Sequence, residues 1–237
     1  MIELEGLTVQ FGGVRALDNL SVTMSAPVNG IIGPNGAGKT TTMNVISGFI
    51  SCRGRIACGG EDIVRLPAHA RARWGLRRSF QREQIANDLS VEDNLRVISD
   101  ALPGTGQEKQ RDVARALELA GLSSRAQVMA HKLNMYERRL TDIARCLVGS
   151  PKLVMLDEPC GGLTSDETKA LGQLIARIHE WTGAMTLVID HDVDLISAIC
   201  IETLVLDFGK RIAFGKTADV LADPRVQQAY LGVEEIN

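Results

Sequence analysis

The chain has 237 residues, 45% of them hydrophobic and 23% charged, with a formal net charge of −3; that length suits one large domain, or a core with a smaller lobe. The balance is that of an ordinary globular protein. There is no cationic surplus to build a polyanion-binding surface, so nucleic acid is not an expected partner.

The longest apolar runs, such as residues 153–156 and 204–206, are far too short to span a bilayer. At the N-terminus, Met1-Ile2-Glu3-Leu4-Glu5 is acidic where a signal peptide is basic. A cytoplasmic location is therefore expected, with any link to a membrane made through another protein. The five cysteines, Cys52, Cys58, Cys146, Cys160 and Cys200, are odd in number and irregular in spacing. They fit neither a disulfide framework nor a zinc site, and reduced thiols are expected.

In chain order, alternating apolar and polar residues predict half-buried strands over 4–9 and 20–24. Gly12-Gly13 breaks the first of these segments. A short apolar strand at 30–32 runs into a glycine-rich loop and a helix beginning near Lys39. From about 82 to 148 the chain reads as mostly helical. Ser90 followed by Asp93 resembles a capping box ahead of Leu95 and Val97. Val113, Ala116, Leu117 and Ala120 lie at helical spacing within 108–122, and Pro103-Gly104-Thr105-Gly106 reads as a loop. Beyond Pro151 the runs 153–156, 185–189 and 204–206 are continuously apolar, as buried parallel strands are. A helix over about 166–181 separates the first two. The alternation predicts an α/β sheet core with a helical lobe inserted in its middle.

Gly33-Pro34-Asn35-Gly36-Ala37-Gly38-Lys39-Thr40 fills every fixed position of G-x-x-x-x-G-K-[ST]. Glycines let the backbone wrap so that successive N–H groups face phosphate oxygens. The lysine reaches the β- and γ-phosphates and the Thr40 hydroxyl holds Mg²⁺. ATP-binding residues are thus expected over Gly33 to Thr40 and at Thr41. Residues 153–156 then lead into Asp157-Glu158-Pro159. An Asp at a strand's C-terminal end can hold Mg²⁺ through water, and a carboxylate beside it can deprotonate an attacking water.

Asp157-Glu158-Pro159 after four apolar residues resembles the Walker B element of ATP-binding cassette (ABC) ATPases. Three further elements resemble that family in their proper order. Gln81 in Arg78-Ser79-Phe80-Gln81 is similar to the Q-loop glutamine that touches Mg²⁺ and signals to a membrane subunit. His191 in Asp190-His191-Asp192 is similar to the switch histidine near the γ-phosphate. Phe11 before Gly12-Gly13 is similar to the aromatic residue on which adenine stacks. Finer features resemble the ATP-binding subunits of branched-chain amino acid importers: Arg78-Ser79-Phe80-Gln81, Ser90-Val91-Glu92-Asp93-Asn94-Leu95, Ile143-Ala144-Arg145-Cys146 and the ending Tyr230-Leu231-Gly232. The ATPase of the lipopolysaccharide exporter resembles this branch too, including its Tyr-Leu-Gly ending.

The resemblance implies a P-loop fold with a parallel-sheet core, an N-terminal antiparallel β subdomain and an inserted helical subdomain. As domains it implies 1–81 and 149–237 for the β and P-loop parts and 82–148 for the helical part. It implies an ATP hydrolase coupled to transport, with Mg²⁺ as cofactor, Lys39, Glu158 and His191 as catalytic residues, and Thr40, Gln81 and Asp157 around the metal. Implied partners are integral membrane permease subunits, which would hold the chain on the inner face of the membrane, and a second ATPase subunit. A lipid or lipopolysaccharide exporter is the alternative. A non-transport ABC protein would carry two cassettes or a long coiled-coil insert, and a non-hydrolysing sensor would not need Lys39, Asp157, Glu158 and His191 together.

The family signature, commonly Leu-Ser-Gly-Gly-Gln or Leu-Ser-Tyr-Gly-Gln, is altered here to Leu133-Asn134-Met135-Tyr136-Glu137. Asn134 replaces the serine and is still able to donate a hydrogen bond. Glu137 replaces the glutamine. Tyr136 stands where the family has a glycine whose N–H approaches the γ-phosphate held by the opposite subunit, and its phenol is expected to obstruct that approach. Thr164 in Gly161-Gly162-Leu163-Thr164 replaces the usual Asp or Asn of the D-loop. The combination predicts a heterodimer, in which a partner with an intact signature completes the site on this chain's P-loop; a homodimer whose backbone adjusts at the altered signature is the alternative.

Overall fold

The computed structural model describes residues 1–231. The Tyr230-Leu231-Gly232 ending lies outside the residues whose side chains are described. In chain order the elements begin β1 (Ile2–Phe11), β2 (Val14–Met24), β3 (Val28–Ile32), α1 (Lys39–Ser47), β4 (Arg53–Cys58), β5 (Glu61–Asp62), α2 (Ala68–Trp74) and β6 (Leu76–Arg78). They continue α3 (Val91–Asp100), α4 (Gly106–Leu119), α5 (Met135–Leu147), β7 (Leu153–Asp157), α6 (Ser165–Thr182), β8 (Met185–Ile189), α7 (Val193–Ile199), β9 (Glu202–Asp207), β10 (Lys210–Lys216) and α8 (Thr217–Leu221). The chain divides into two compact units, residues 1–71 with 187–237, and residues 72–186. The expected helical segment 82–148 lies wholly within the second unit, which also contains β6, β7 and α6.

The first unit contains a four-stranded sheet in the order β2-β1-β4-β5 with antiparallel pairing throughout. Its buried face follows from the alternation in the sequence: Ile2, Leu4, Leu7 and Val9 of β1 meet Leu17, Leu20, Val22 and Met24 of β2 as core residues. Gly12-Gly13 turns the chain, with Phe11 opposite Val14. The same unit holds β3, buried along its whole length, paired in parallel with β9, which pairs antiparallel with β10. Parallel strands covered on both faces need continuous apolar runs, and β3 and β9 supply them. Behind α1, the buried Arg71 donates to the carbonyls of Val45 and Ile46 at 2.6 and 2.7 Å, and to those of Val64 and Leu66 at 2.8 Å each.

In the second unit β6 pairs in parallel with β7, aligning Leu76 with Leu153, Arg77 with Val154 and Arg78 with Met155. Helix α3 packs on α4 and α5, and α5 on α6. Each of these helices starts where a side chain satisfies its free N–H groups. Ser90 accepts from the Asp93 N–H at 3.0 Å, as the sequence suggested. Thr105 and Glu108 form a full capping box, so α4 begins at Gly106 rather than at 108, and it ends at Leu119, before Gly121 turns left-handed at φ 69°.

Periodicity does not announce β4 to β6, α2, α5, α7 or β10. β6 has only three residues, two of them arginines. All five cysteines are free thiols, and burial raises those of Cys58, Cys146 and Cys200 to about 12, which makes them unreactive. Among the described residues, no helix is long and apolar enough to cross a membrane.

Candidate functional site

Within the first unit, β3 ends at Ile32 and the chain wraps before α1 starts at Lys39. The wrap requires glycine at two points. A Cβ on Gly33, at φ +151°, would lie 2.1 Å from the Leu206 carbonyl oxygen, and one on Gly38, at φ +105°, 2.7 Å from that of Ala16. Ala37 is pinned between them: its N–H donates to the Pro34 carbonyl at 3.1 Å and its carbonyl accepts from Gly209 N–H at 2.9 Å. Gly38 is the N-cap of α1, with no side-chain cap and no acidic residue in the first turn. Helices α3, α4, α5, α6 and α7 by contrast each carry a side-chain cap. The first N–H groups of α1, at Lys39, Thr40 and Thr41, therefore form the positive end of a helix left open to an anion. Asn35, Gly36 and Thr40 are exposed on this loop. Lys39 folds back and donates to the carbonyls of Gly33 and Pro34 at 2.6 and 3.0 Å, holding its ammonium over the loop.

Phe11 is 51% exposed at the end of β1, so it is not a core residue. His191 follows β8 and exposes 71% of its side chain, with Nδ1 3.5 Å from the Asp190 carboxylate. Asp190 itself is buried and accepts from the Asp192 N–H at 3.0 Å, while Asp192 caps α7. The loop carrying His191 is thus fixed from its main chain.

Within the second unit, Asp157 closes β7 and is buried. Arg78 lies opposite Met155, so its side chain and that of Asp157, two residues on, share a face of the strand pair. The guanidinium reaches the carboxylate at 3.0 Å, with the two side chains 5% and 7% exposed. Burial lowers Arg78 from its ordinary value and the bond to Asp157 opposes that. Asp157 N–H also donates to Ser79 Oγ at 3.4 Å. The next residue, Glu158, adopts a left-handed backbone at φ 48°, a conformation an L-residue holds only when its surroundings enforce it. Its carboxylate accepts from Gln81 Nε2 at 2.7 Å. The predicted residues Gln81, Asp157 and Glu158 are brought together. The part played by Arg78 and Ser79 escaped the sequence reading, although two adjacent arginines in a three-residue strand were a visible signal.

Among the described residues, no group of three or more His, Cys, Asp or Glu side chains could hold a metal ion alone. A lone buried carboxylate such as Asp157 fits Mg²⁺, which is bound through one or two carboxylates and completes its shell with water and phosphate oxygens.

At the altered signature, Asn134 is the N-cap of α5 and its side chain accepts from the Glu137 N–H at 2.8 Å. Glu137 returns the bond to the Asn134 N–H at 3.1 Å and pairs with Arg125 at 2.8 Å. The amide of Asn134 thus acts as an acceptor within its own helix. Met135 lies over Gly162, where a Cβ would come 2.9 Å from its sulfur. Tyr136 is half-buried, and its phenol is raised by burial first and by the Glu167 carboxylate next. Thr164 forms a matching box with Glu167 at the start of α6. The side chains of Asn134, Glu137 and Thr164, which replace usual signature and D-loop residues, are engaged with their own chain.

A strand leading through enforced glycines into an uncapped helix, with a lysine over the loop, defines a P-loop nucleotide-binding domain. The ABC transporter family model matches residues 17–161, and that of the branched-chain amino acid ATP-binding cassette transporters matches residues 210–236. The high-affinity branched-chain amino acid transport ATP-binding protein BraF of Pseudomonas aeruginosa is 33% identical over 98% of each chain. The lipopolysaccharide export system ATP-binding protein LptB of Escherichia coli K12 is 33% identical over 96% of this chain and 95% of its own. The crystal structure of the ADP conformation of MJ1267, an ATP-binding cassette of an ABC transporter, superposes with a TM-score of 0.86 at 27% identity, covering 98% of both chains. The chain belongs to the ABC transporter family, as an ATP-binding cassette ATPase subunit.

Proposed function

We propose that this chain binds and hydrolyses ATP to energise the import of branched-chain or related amino acids, held at the inner face of a membrane by permease subunits. The observation that carries the ATP assignment is the open N-terminus of α1 behind Gly33 and Gly38. The amides of Gly36 to Thr41 receive the phosphates, and Lys39 transfers its donors from the loop carbonyls to phosphate oxygens. Phe11 stacks on adenine. Thr40, Gln81 and Asp157 are the residues that would hold Mg²⁺, which supplies neutralisation of phosphate charge. Glu158 takes the proton of the attacking water, and His191 stabilises charge at the γ-phosphate.

Similarity to BraF and the match at residues 210–236 support amino acid import. Similarity to LptB supports a second reading, lipopolysaccharide export.

The engaged signature supports pairing with a second, different ATPase. Asn134 and Glu137 satisfy each other, and Tyr136 stands where the resemblance puts a glycine facing the γ-phosphate held by the opposite subunit. The test is to purify the chain alone and with its permease and second ATPase, and to measure ATP hydrolysis with candidate solutes. Amino-acid-stimulated hydrolysis in the complex and near-inactivity alone are expected, with partial recovery of the isolated chain in Tyr136→Gly. Stimulation by lipopolysaccharide instead would select the second reading, and vigorous hydrolysis by the isolated parent would reject the heterodimer.

A further inference from the structure

Strand β6 buries the side chains of two successive arginines, and the chain satisfies them in different ways. Arg77 is held by main-chain carbonyls, with Leu76 at 3.1 Å and Val148 and Gly149 at 3.4 Å each among its acceptors. That serves packing. Arg78 is instead set against a carboxylate, Asp157 Oδ2, and stacks over the Phe80 ring at 4.7 Å. A buried guanidinium is costly unless geometry and partners are good. A fold that needed only to fill this position would use an apolar side chain. The segment after Arg78 continues the grip: Ser79 N–H donates to the Met155 carbonyl at 2.9 Å, Ser79 Oγ accepts from Asp157 N–H at 3.4 Å, and Gln81 holds Glu158 at 2.7 Å.

We propose that Arg78 is a positioning residue for metal–nucleotide binding: it clamps Oδ2 of Asp157 and leaves Oδ1 as the oxygen available to metal-bound water. The inference rests on the proposed ATP site. Orientation of a ligating carboxylate by an outer partner is a general determinant of metal affinity. Phe80 and the strand pairing fix the guanidinium plane, so the carboxylate is set before nucleotide arrives and less order is lost on binding.

The test titrates Mg²⁺ into the purified chain with ATP and reads nucleotide binding, with a parallel series in EDTA. Arg78→Gln removes the charge and keeps a donor. The half-saturating Mg²⁺ concentration is expected to rise at least fivefold, with ATP affinity in EDTA unchanged. Arg78→Lys keeps the charge and should rise no more than two- to threefold; it carries the test if Arg78→Gln does not fold. In an Asp157→Asn background, Arg78→Gln should add no further shift. An unchanged or lowered Mg²⁺ requirement in Arg78→Gln overturns the proposal, and so does an equal loss of affinity with and without metal, which would mark a purely structural arginine. Failure of the parent chain to bind ATP at all would remove the underlying site, and is distinguished by the EDTA series.

Discussion

Gln81 Nε2 donates a hydrogen bond of 2.7 Å to Glu158 Oε2. The residue proposed to sit at the metal therefore holds the residue proposed to act as base. Gln81 occupies Oε2 of Glu158, which leaves Oε1 as the oxygen to accept a proton from water. Glu158→Gln keeps size and hydrogen-bonding capacity but removes basicity. ATP affinity should persist while turnover in the assembled complex falls at least tenfold, read as phosphate release against equilibrium nucleotide binding. Unchanged turnover would assign the base elsewhere.

Phe11 tests a different part of the assignment. Being 51% exposed, it contributes little to the core, so Phe11→Ala should leave thermal unfolding nearly unchanged. Its loss should weaken ATP binding by roughly 1–2 kcal/mol, on the scale of base–aromatic stacking. Inorganic triphosphate, which has no base, should bind mutant and parent alike. A mutant that loses stability but not ATP affinity would make Phe11 a packing residue.

Asn134 is predicted to matter for folding rather than for phosphate. It is the N-cap of α5 in a reciprocal box with Glu137. Asn134→Ala should cost about 1 kcal/mol of stability, measured by urea unfolding, and should leave ATP binding to the isolated chain intact. Retained stability would show that the box is idle.

Several parts of this picture could be read directly from residue types. The P-loop was legible because glycine, lysine and threonine at fixed spacing answer a single physical demand, and β3, β7 and β9 because strands buried on both faces are written as apolar runs. Asp157, Glu158 and Gln81 were legible by resemblance, but the bond between Gln81 and Glu158 was not, since it joins residues 77 positions apart. β6 was hidden for a related reason: its arginines are satisfied by tertiary partners that no local pattern encodes. At the start of α5 the three-residue spacing of Asn134 and Glu137 is a capping pattern visible in the sequence, and the Asn134 Oδ1 accepts within that box.

Arg71 gives α1 a mooring at the end opposite its open amides. Its guanidinium ties the carbonyls of Val45 and Ile46 in the last turn to those of Val64 and Leu66. A nine-residue helix is a stiff rod of about 13 Å. A load placed on its N-terminal amides cannot be relaxed by axial slippage. The C-terminal end of the rod is tethered to the main chain at Val64 and Leu66.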